Sequence, residues 1–455
     1  MLIAAIPSSS SSSSAITRVE AQSASYATAG GVVYAGTTTD VLSLLVSNVV
    51  VVFAGGVAAT TSESSSSSSL ARKSLAYANC SQSVFGCAAV GMVFAATDPN
   101  APLRICVLNV TLVVASQWVV AAAGRLVAVA FGIALHGYTS GLVTFDAESV
   151  SMLAVNATLT SEANVSAAVG VAFYAFSPNR QNLTRWSLAA HHCNISGKAT
   201  QSAAVIGVAH SVTPQNVAHL TLQAIAFVSE AQTVIDWSCS DFGGGMGLCA
   251  ILSVAVAGIP QRTGPSCDGL VVSMVNTDAT LTCTPVSLCH VAVTSGALSA
   301  FRRDNIALLI CRSTARLVGG STAGSVIVPS VRPNNLTFVL LGSVVHYSAV
   351  PCFQDPPVNY IPSPPSPANT SSAPVVSLFL NSNIACSPQV GWGSSGSGPP
   401  QLVMARNVTV NGVADLPAAD GAAFPFYGVT LIPSSSTIVP TFFGDVETSG
   451  SDCPS

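Results

Sequence analysis

The sequence predicts an all-β fold, specifically a parallel β-helix (a three-faced β-solenoid) with degenerate repeats of about 37–45 residues. Three observations support this: a glycine-centred apolar strand that recurs, two further strand-like segments between its copies, and an apolar composition with little charge. Charged residues make up 7% and hydrophobic residues 49%, with a mean hydropathy of +0.58, whereas ordinary soluble domains have about 25% charged residues. Stacked strands with small apolar side chains inside and Ser, Thr and Asn outside account for that composition.

The recurring strand is an Ala-Ala-Val-Gly-Val-Ala segment. Its four clear copies are Ala88–Phe94, Val129–Leu135, Ala167–Phe173 and Ala203–Ala209, and their glycines stand 41, 38 and 37 residues apart. A fifth copy, Leu248–Ala255, lacks the central glycine. The segments between copies are rich in β-branched residues and alternate apolar with polar residues, which is typical of strands. Three short strands per unit predict three faces, with coils stacked about 4.8 Å apart.

The chain divides into four predicted parts. Residues 1–30 are a low-complexity, Ser-rich N-terminus, and 31–350 are the β-solenoid, with its clearest repeats at 85–260. Residues 351–374 are a Pro-rich loop or linker, and 375–455 are an irregular β-rich C-terminal part. Strand-like pieces beyond residue 260 are Ser325–Val328, Leu336–Leu341, Val375–Leu380, Asn407–Val410 and Val429–Ile432.

The thirteen cysteines are dispersed, and none forms a CxxC pair, so the zinc-ribbon spacing is missing. Dispersed cysteines favour disulfides in an oxidising compartment, and buried free thiols are the alternative. The odd total leaves at least one cysteine without a partner in this chain. The disulfide candidates are the densest group, Cys239, Cys249, Cys267, Cys283, Cys289 and Cys311.

Nine Asn-x-Ser/Thr sequons make the chain a candidate glycoprotein, since such sequons accept N-glycans in exported proteins. Part of their abundance comes from a recurring Asn-Val-Thr-Leu strand motif, so a purely structural origin is the alternative. The glycosylation candidates are Asn79, Asn109, Asn156, Asn164, Asn182, Asn194, Asn335, Asn369 and Asn407.

We expect an extracellular or cell-surface location, although neither end of the chain shows an export or anchoring signal. The first residues lack the basic region and the apolar length of a secretory leader, and the last residues lack a lipid-anchor tail. One expectation is therefore that the chain is a fragment or a truncated gene product. The alternative is that the chain is not exported, and membrane association has no clear anchor in this chain.

Three apolar windows raise a membrane alternative: Val41–Ala59, Trp118–Leu135 and Phe242–Ile259. They are rich in Val, Ala, Ser and Gly rather than Leu, Ile and Phe, and no flanking Lys/Arg asymmetry orients them. An integral membrane protein with a span near 41–59 stays an alternative to the solenoid.

The sequence contains no convincing residue pattern for catalysis, cofactor binding or metal binding. We therefore expect no cofactor. The net charge of −4 and the absence of a basic cluster larger than Arg302-Arg303 exclude a nucleic-acid partner. Asn276-Thr277-Asp278 resembles one element of polygalacturonases, but the Asp-Asp, Gly-His-Gly and Arg-x-Lys elements that follow in those enzymes are missing. His191-His192-Cys193 is best interpreted as a structural histidine pair, because adjacent strand residues point to opposite faces.

The glycine-centred strands, the Asn-Val-Thr-Leu strands and the serine tracts resemble predicted membrane-associated surface proteins of free-living kinetoplastid flagellates, over residues 85–260. The resemblance implies a parallel β-helix (pectin-lyase-like) ectodomain at the cell surface and brings no active site. We therefore predict a non-enzymatic cell-surface or secreted scaffold for adhesion, glycan contact or coat formation, with glycans or other surface proteins as partners. The enzymatic alternative is a degenerate carbohydrate-active β-helix of the polysaccharide lyase or hydrolase kind.

Overall fold

The computed structural model contains thirty β-strands, and the residues it describes include no helix. Besides these strands it describes only the turn residues 126, 156–157, 192–193, 231–233, 240, 276–277, 284–285, 287, 312–313, 342–343 and 382. The strands are β1 Leu2–Ala4, β2 Arg18–Gln22, β3 Tyr26–Ala27, β4 Gly30–Gly36, β5 Leu42–Ala54, β6 Ser74–Asn79, β7 Gly86–Ala96, β8 Leu103–Ala115, β9 Gln117–Ala122, β10 Val127–Gly137, β11 Val143–Val155, β12 Thr158–Tyr174, β13 Arg180–His191, β14 Asn194–His210, β15 His219–Glu230, β16 Val234–Cys239, β17 Leu248–Ala255, β18 Ser266–Val275, β19 Asp278–Cys283, β20 Leu288–Val293, β21 Arg302–Cys311, β22 Thr314–Gly319, β23 Ser325–Val328, β24 Asn334–Leu341, β25 Val344–Pro351, β26 Val375–Leu380, β27 Asn383–Ser387, β28 Gln401–Arg406, β29 Thr409–Val410 and β30 Thr430–Leu431.

These strands stack as a parallel β-solenoid, because every pairing among the described strands is parallel and joins strands of successive coils. Face 1 is a twelve-stranded sheet: β1, β5, β8, β11, β13, β15, β18, β21, β24, β26, β28 and β30. Faces 2 and 3 share an eighteen-stranded sheet, because β12 and β14 each run through both. Face 2 contains β9, β16 and β19, and face 3 contains β7, β10 and β17. The predicted all-β parallel solenoid is confirmed.

Six successive strands of face 1, from β5 to β18, each bend at one residue whose φ is positive. In β8, Ile105 and Val107 are buried before the bend at Asn109, and Leu112 and Val114 are buried after it. The bend therefore shifts the inside–outside alternation by one residue. The left-handed conformation favours Asn and Gly. The bend column is Asn48 (φ 53), Asn109 (φ 52), Ser149 (φ 57), Arg185 (φ 55), Ala224 (φ 51) and Gly269 (φ 73).

A two-residue corner joins face 1 to face 2, with a positive-φ residue followed by a small buried one. At Arg312-Ser313 the φ of Arg312 is 47°, and Ser313 is buried. The Ser313 Oγ accepts the Thr277 N–H of the preceding coil at 3.1 Å and lies 2.8 Å from the Cys311 carbonyl, to which it can donate. Equivalent bonds recur up the stack, so we name these residues the hydroxyl column: Thr233, Thr277, Ser313, Ser343 and Ser382. Cys193 and Ala157 occupy the same corner in the two preceding coils.

The recurring glycine of the sequence motif lies on face 3, where the copies pair in register. Gly132 pairs with Gly91 on one side and with Gly170 on the other, and Gly170 pairs with Gly207. Their φ angles lie between 141° and 149°, a region that is essentially restricted to glycine. A Cβ built on Gly132 would lie 2.9 Å from the Gly170 carbonyl carbon and closer still to its oxygen. The glycine is therefore required both by backbone conformation and by the close approach of the next coil.

Face 3 is buried on both sides. Its inner side contributes to the main core, in which Phe145 of face 1 meets Phe173 of face 3 edge to face, with ring centroids 5.4 Å apart. Its outer side forms a separate buried cluster, which explains why the recurring strand is apolar at nearly every position rather than alternating. The outer cluster contains Ala88, Val93, Val127, Val129, Ala134, Val165, Ala167, Ala172, Ala204 and Ala209.

Two disulfides stack at the corner between faces 2 and 3. Cys239 bonds to Cys249, and Cys283 bonds to Cys289, with Cα atoms 6.5 and 6.6 Å apart. Cys239 is the register partner of Cys283, and Cys249 is the register partner of Cys289. The same bond therefore closes the same corner in two successive coils.

The remaining cysteines with described side chains differ in state. Cys87 and Cys311 are also disulfide-bonded, whereas Cys106 and Cys193 are free. The side chain of Cys267, the other disulfide candidate, lies outside the described residues.

The apolar windows form strands where the structure describes them. Window 41–59 contains β5, which pairs with β1 and β8, so Leu42–Ala54 form a strand of the solenoid and not a spanning helix. Among the described residues, no helix is long and apolar enough to cross a membrane. The predicted Pro-rich part, 351–374, lies outside the described residues apart from Pro351, and β26 beyond it pairs with β24.

Candidate functional site

A shallow groove of about 620 Å³ crosses the outer surface of face 1 where β8, β11 and β13 lie side by side. Alternation places Ile105, Phe145 and Leu183 in the core and turns their neighbours outward. Register then aligns the outward residues of the three coils in rows. The face 1 groove is lined by Arg104, Cys106, Leu108, Thr144, Asp146, Ala147, Glu148, Asn182 and Thr184.

Asp146 lies at the centre of this groove and joins three coils. Its Oδ2 accepts a hydrogen bond from Arg104 Nη2 of the preceding coil at 3.3 Å. Its Oδ1 accepts one from Asn182 Nδ2 of the following coil at 2.6 Å. The Asp146 side chain is 22% exposed, whereas that of Arg104 is 62% exposed. Asp146 thus holds one side chain from each neighbouring coil at the groove.

The second carboxylate of the groove, Glu148, forms an ion pair with Arg185 of the next coil. Each carboxylate of the groove therefore has an arginine partner, and the local charges cancel. Thr144 and Thr184 add hydroxyl groups, and Leu108 adds an apolar edge. A neutral surface that combines fixed donors, acceptors and hydroxyl groups suits an uncharged polyhydroxylated ligand better than an ion.

The two carboxylates also define what the groove offers for catalysis. Asp146 and Glu148 are two residues apart on one strand, which separates their backbones by about 7 Å. Glycoside hydrolases use two carboxyl groups that flank the scissile bond, one of them protonated. Here both are engaged by arginines, so neither occupies the apolar setting that such an acid requires.

Asn276-Thr277-Asp278, the element that resembles polygalacturonases, forms a face 1–face 2 corner. Asn276 has a φ of 47°. Thr277 is buried in the hydroxyl column, and Asp278 is exposed and pairs with Arg316 at 3.3 Å. Each residue of the tripeptide therefore has a structural role in the corner.

His191-His192-Cys193 forms the same corner in an earlier coil. His191 Nδ1 lies 3.4 Å from Glu230 Oε2, and His192 is exposed with a φ of 52°. Cys193 is buried, and burial raises the pKa of its thiol to about 11. Its Sγ can donate to the Ala154 carbonyl at 3.4 Å, as the hydroxyl column does elsewhere. Among the described residues, no three His, Cys, Asp or Glu side chains are grouped as metal ligands.

The structure distributes the sequon asparagines over several environments. Asn109, Asn156 and Asn194 are exposed, whereas Asn164 and Asn182 are half-buried and hydrogen-bonded. The side chains of Asn79 and Asn335 and the whole of Asn369 and Asn407 lie outside the described residues.

Sequence reasoning missed the groove and the hydroxyl column. A signal for the groove exists in Thr144-Phe145-Asp146-Ala147-Glu148, where two acidic residues alternate with core residues and must share the outer face. Its partners Arg104 and Asn182 stand 42 and 36 residues away from Asp146, so only the register of the coils brings them together.

Comparison of this chain with protein-family models, with curated proteins and with solved structures finds no match.

Proposed function

We propose that this chain is a non-enzymatic β-solenoid scaffold, secreted or displayed at a cell surface, whose face 1 groove contacts glycans. The observation that carries the proposal is the network in which Asp146 holds Arg104 and Asn182 of the two neighbouring coils. Three coils thereby present one polar surface that needs no rearrangement before a ligand binds, which lowers the entropic cost of recognition.

Two further features support the proposal. The stacked disulfides Cys239–Cys249 and Cys283–Cys289 are compatible with an oxidising compartment. The charge balance of the groove disfavours strongly charged ligands, because each carboxylate already has an arginine partner. Saccharide hydroxyls can both donate to the carboxylates and accept from the guanidinium groups.

The test is binding of the full chain to an array of neutral and acidic oligosaccharides, followed by calorimetry with the best ligand. We expect neutral oligosaccharides to bind. Asp146→Asn should weaken binding by about 10- to 100-fold, because a hydrogen bond to a charged group contributes about 1.5–3 kcal/mol.

Asp278→Asn is the matched control. Asp278 also pairs with an arginine of a neighbouring coil at 3.3 Å, but on face 2, away from the groove. It should leave the affinity unchanged. Absence of binding to every saccharide, or equal losses in the two variants, would refute glycan contact through the groove.

A carbohydrate-active function is the second candidate, and the proximity of Asp146 and Glu148 favours it. The same oligosaccharides, incubated with the chain and analysed for new reducing ends and for unsaturated products, test it. Products that disappear in Asp146→Asn and persist in Asp278→Asn would replace the non-enzymatic proposal with an enzymatic one.

A further inference from the structure

Five sequon asparagines have described side chains, and the fold separates them into two groups. Asn109, Asn156 and Asn194 are exposed, whereas Asn164 and Asn182 are half-buried. All five belong to Asn-x-Ser/Thr sequons, and the difference between Thr and Ser at the third position does not follow the division into exposed and half-buried asparagines. The surrounding structure therefore ranks them as glycan acceptors.

The exposed group occupies bends and strand starts where the backbone is already satisfied. The Asn156 N–H donates to the His191 carbonyl at 2.9 Å, and the Asn194 N–H donates to the Ala157 carbonyl at 2.8 Å. Asn109 lies in the bend column and is exposed, and its Nδ2 donates to the exposed Asn48 Oδ1 at 3.2 Å. A sugar on any of these three amides has room to extend away from the solenoid.

The half-buried side chains connect neighbouring coils through part-buried hydrogen bonds, whereas the bond between Asn109 and Asn48 is exposed. Asn164 Oδ1 accepts a hydrogen bond from Thr200 Oγ1 at 2.8 Å, and its sequon residue Ser166 is fully buried against Ser161. Asn182 Nδ2 donates to Asp146 at 2.6 Å inside the groove. A sugar on Asn182 would occupy the groove beside Asp146, and one on Asn164 would separate a packed corner.

N-glycosylation transfers an oligosaccharide from a lipid-linked diphosphate donor to the asparagine amide. The bond between the anomeric carbon and Nδ2 forms, the bond from that carbon to the diphosphate oxygen breaks, and the lipid diphosphate leaves as one Nδ2 proton is lost. Because the glycan then has to fit the folded chain, folded secreted molecules carry sugars only where the surface has space.

We propose that the folded chain bears N-glycans at Asn109, Asn156 and Asn194, and that Asn164 and Asn182 remain unmodified. The proposal rests on the export included in the proposed function but not on a ligand of the groove. Directing the chain into the secretory route of a eukaryotic host with a fused leader therefore tests it separately.

The experiment is peptide mapping of the monomeric, folded secreted chain after enzymatic deglycosylation in ¹⁸O-labelled water, which converts each occupied asparagine to labelled aspartate. We expect the label at 109, 156 and 194 and none at 164 or 182. In a parallel gel, Asn109→Gln, Asn156→Gln and Asn194→Gln should each remove one mobility step.

Asn164→Gln and Asn182→Gln are the matched controls, and each should leave the gel mobility unchanged. The wild-type map gives the answer even where a variant is not secreted. Label at 164 or 182, or its absence from any of the three exposed positions, would overturn the proposal, whereas glycan-array results have no bearing on it.

Discussion

The glycine column of face 3 makes a sharp prediction through Gly132→Ala. Two conditions apply at Gly132: a φ of +147°, and a neighbouring coil whose carbonyl carbon would lie 2.9 Å from the new Cβ. The alanine backbone of β10 is then strained, and β10 also has to separate locally from β12. Both effects act on a strand that is buried on its two sides.

The magnitude follows from these two conditions. Backbone strain in a sparsely populated region costs about 1–3 kcal/mol. Separating the strands locally also loses two or three ladder hydrogen bonds at about 1 kcal/mol each. We therefore expect Gly132→Ala to lower the free energy of unfolding by about 3–6 kcal/mol, which is large for one added methyl group.

Gly342→Ala is the control, because Gly342 has a φ of +55° and its added Cβ would meet nothing nearer than Arg312 Cγ at 3.8 Å. Ala224 already adopts a comparable φ of 51°, and left-handed alanine costs about 1–2 kcal/mol. Urea unfolding followed by circular dichroism gives the midpoints, and hydrogen exchange of peptides from β10 and β12 localises the effect, since solenoids need not unfold in one step. If the two variants are equally stable, the close-approach argument is wrong.

Four further predictions concern the corners and the thiols. The double variant Cys239→Ala/Cys249→Ala should lower the free energy of unfolding by about 2–3 kcal/mol, the value expected from loop-closure entropy for a sequence separation of 10. Thermal unfolding measures this loss. The control variant Cys106→Ala removes a free thiol and should change stability little. Ser313→Ala should cost about 1–3 kcal/mol and accelerate exchange of the amide that bonds to it, because a buried N–H loses its acceptor; slow exchange in the variant would contradict this. The raised pKa of Cys193 means that the unfolded thiol ionises first, so stability should fall between pH 9.0 and about 11, and Cys193→Ala should abolish that component. At neutral pH a thiol reagent should modify Cys106 and leave Cys193 unreacted in the folded chain.

The face 3 strand was predictable because close packing of the coils requires glycine at one position of each copy. Where the next coil leaves no space for a Cβ, only glycine fits, and such glycines recur once per coil at residues 91, 132, 170 and 207. Ser253, which pairs with Gly207, ends this series of glycines, although the coils continue to stack. The sequence therefore located the repeat only where this close packing requires glycine.

The hydroxyl column was harder to see because it offers one small residue per coil. The preceding residue, which needs a positive φ, is Asn276, Arg312 or Gly342 in successive coils, so no single type marks the turn. The column nevertheless extends from Thr233 to Ser382. It continues the solenoid well past residue 260, where the glycine motif had faded.

The groove was unpredictable for a different reason. Its residues are separated by whole coils of irregular length, so no local motif records that Arg104, Asp146 and Asn182 adjoin. Locating the groove requires the pairing register of β8, β11 and β13. A pairing shift by one residue would place Asp146 beside a core-facing neighbour and abolish the site.

The internal columns also explain how the solenoid can vary elsewhere. A slip of β12 against β10 by one residue would bring Val169 or Val171 opposite Gly132, placing a branched side chain where a Cβ does not fit. A one-residue shift of pairing at the face 1–face 2 corner would move the hydroxyl of Ser313 away from the Thr277 N–H that donates to it. Because the interior fixes the register, the connections between face 3 and face 1 can differ in length without displacing the strands. The connection 138–142 has five residues, for example, and 256–265 has ten. Outward residues are then free of the stacking rules, and binding chemistry such as that of the face 1 groove can change there without loss of the fold.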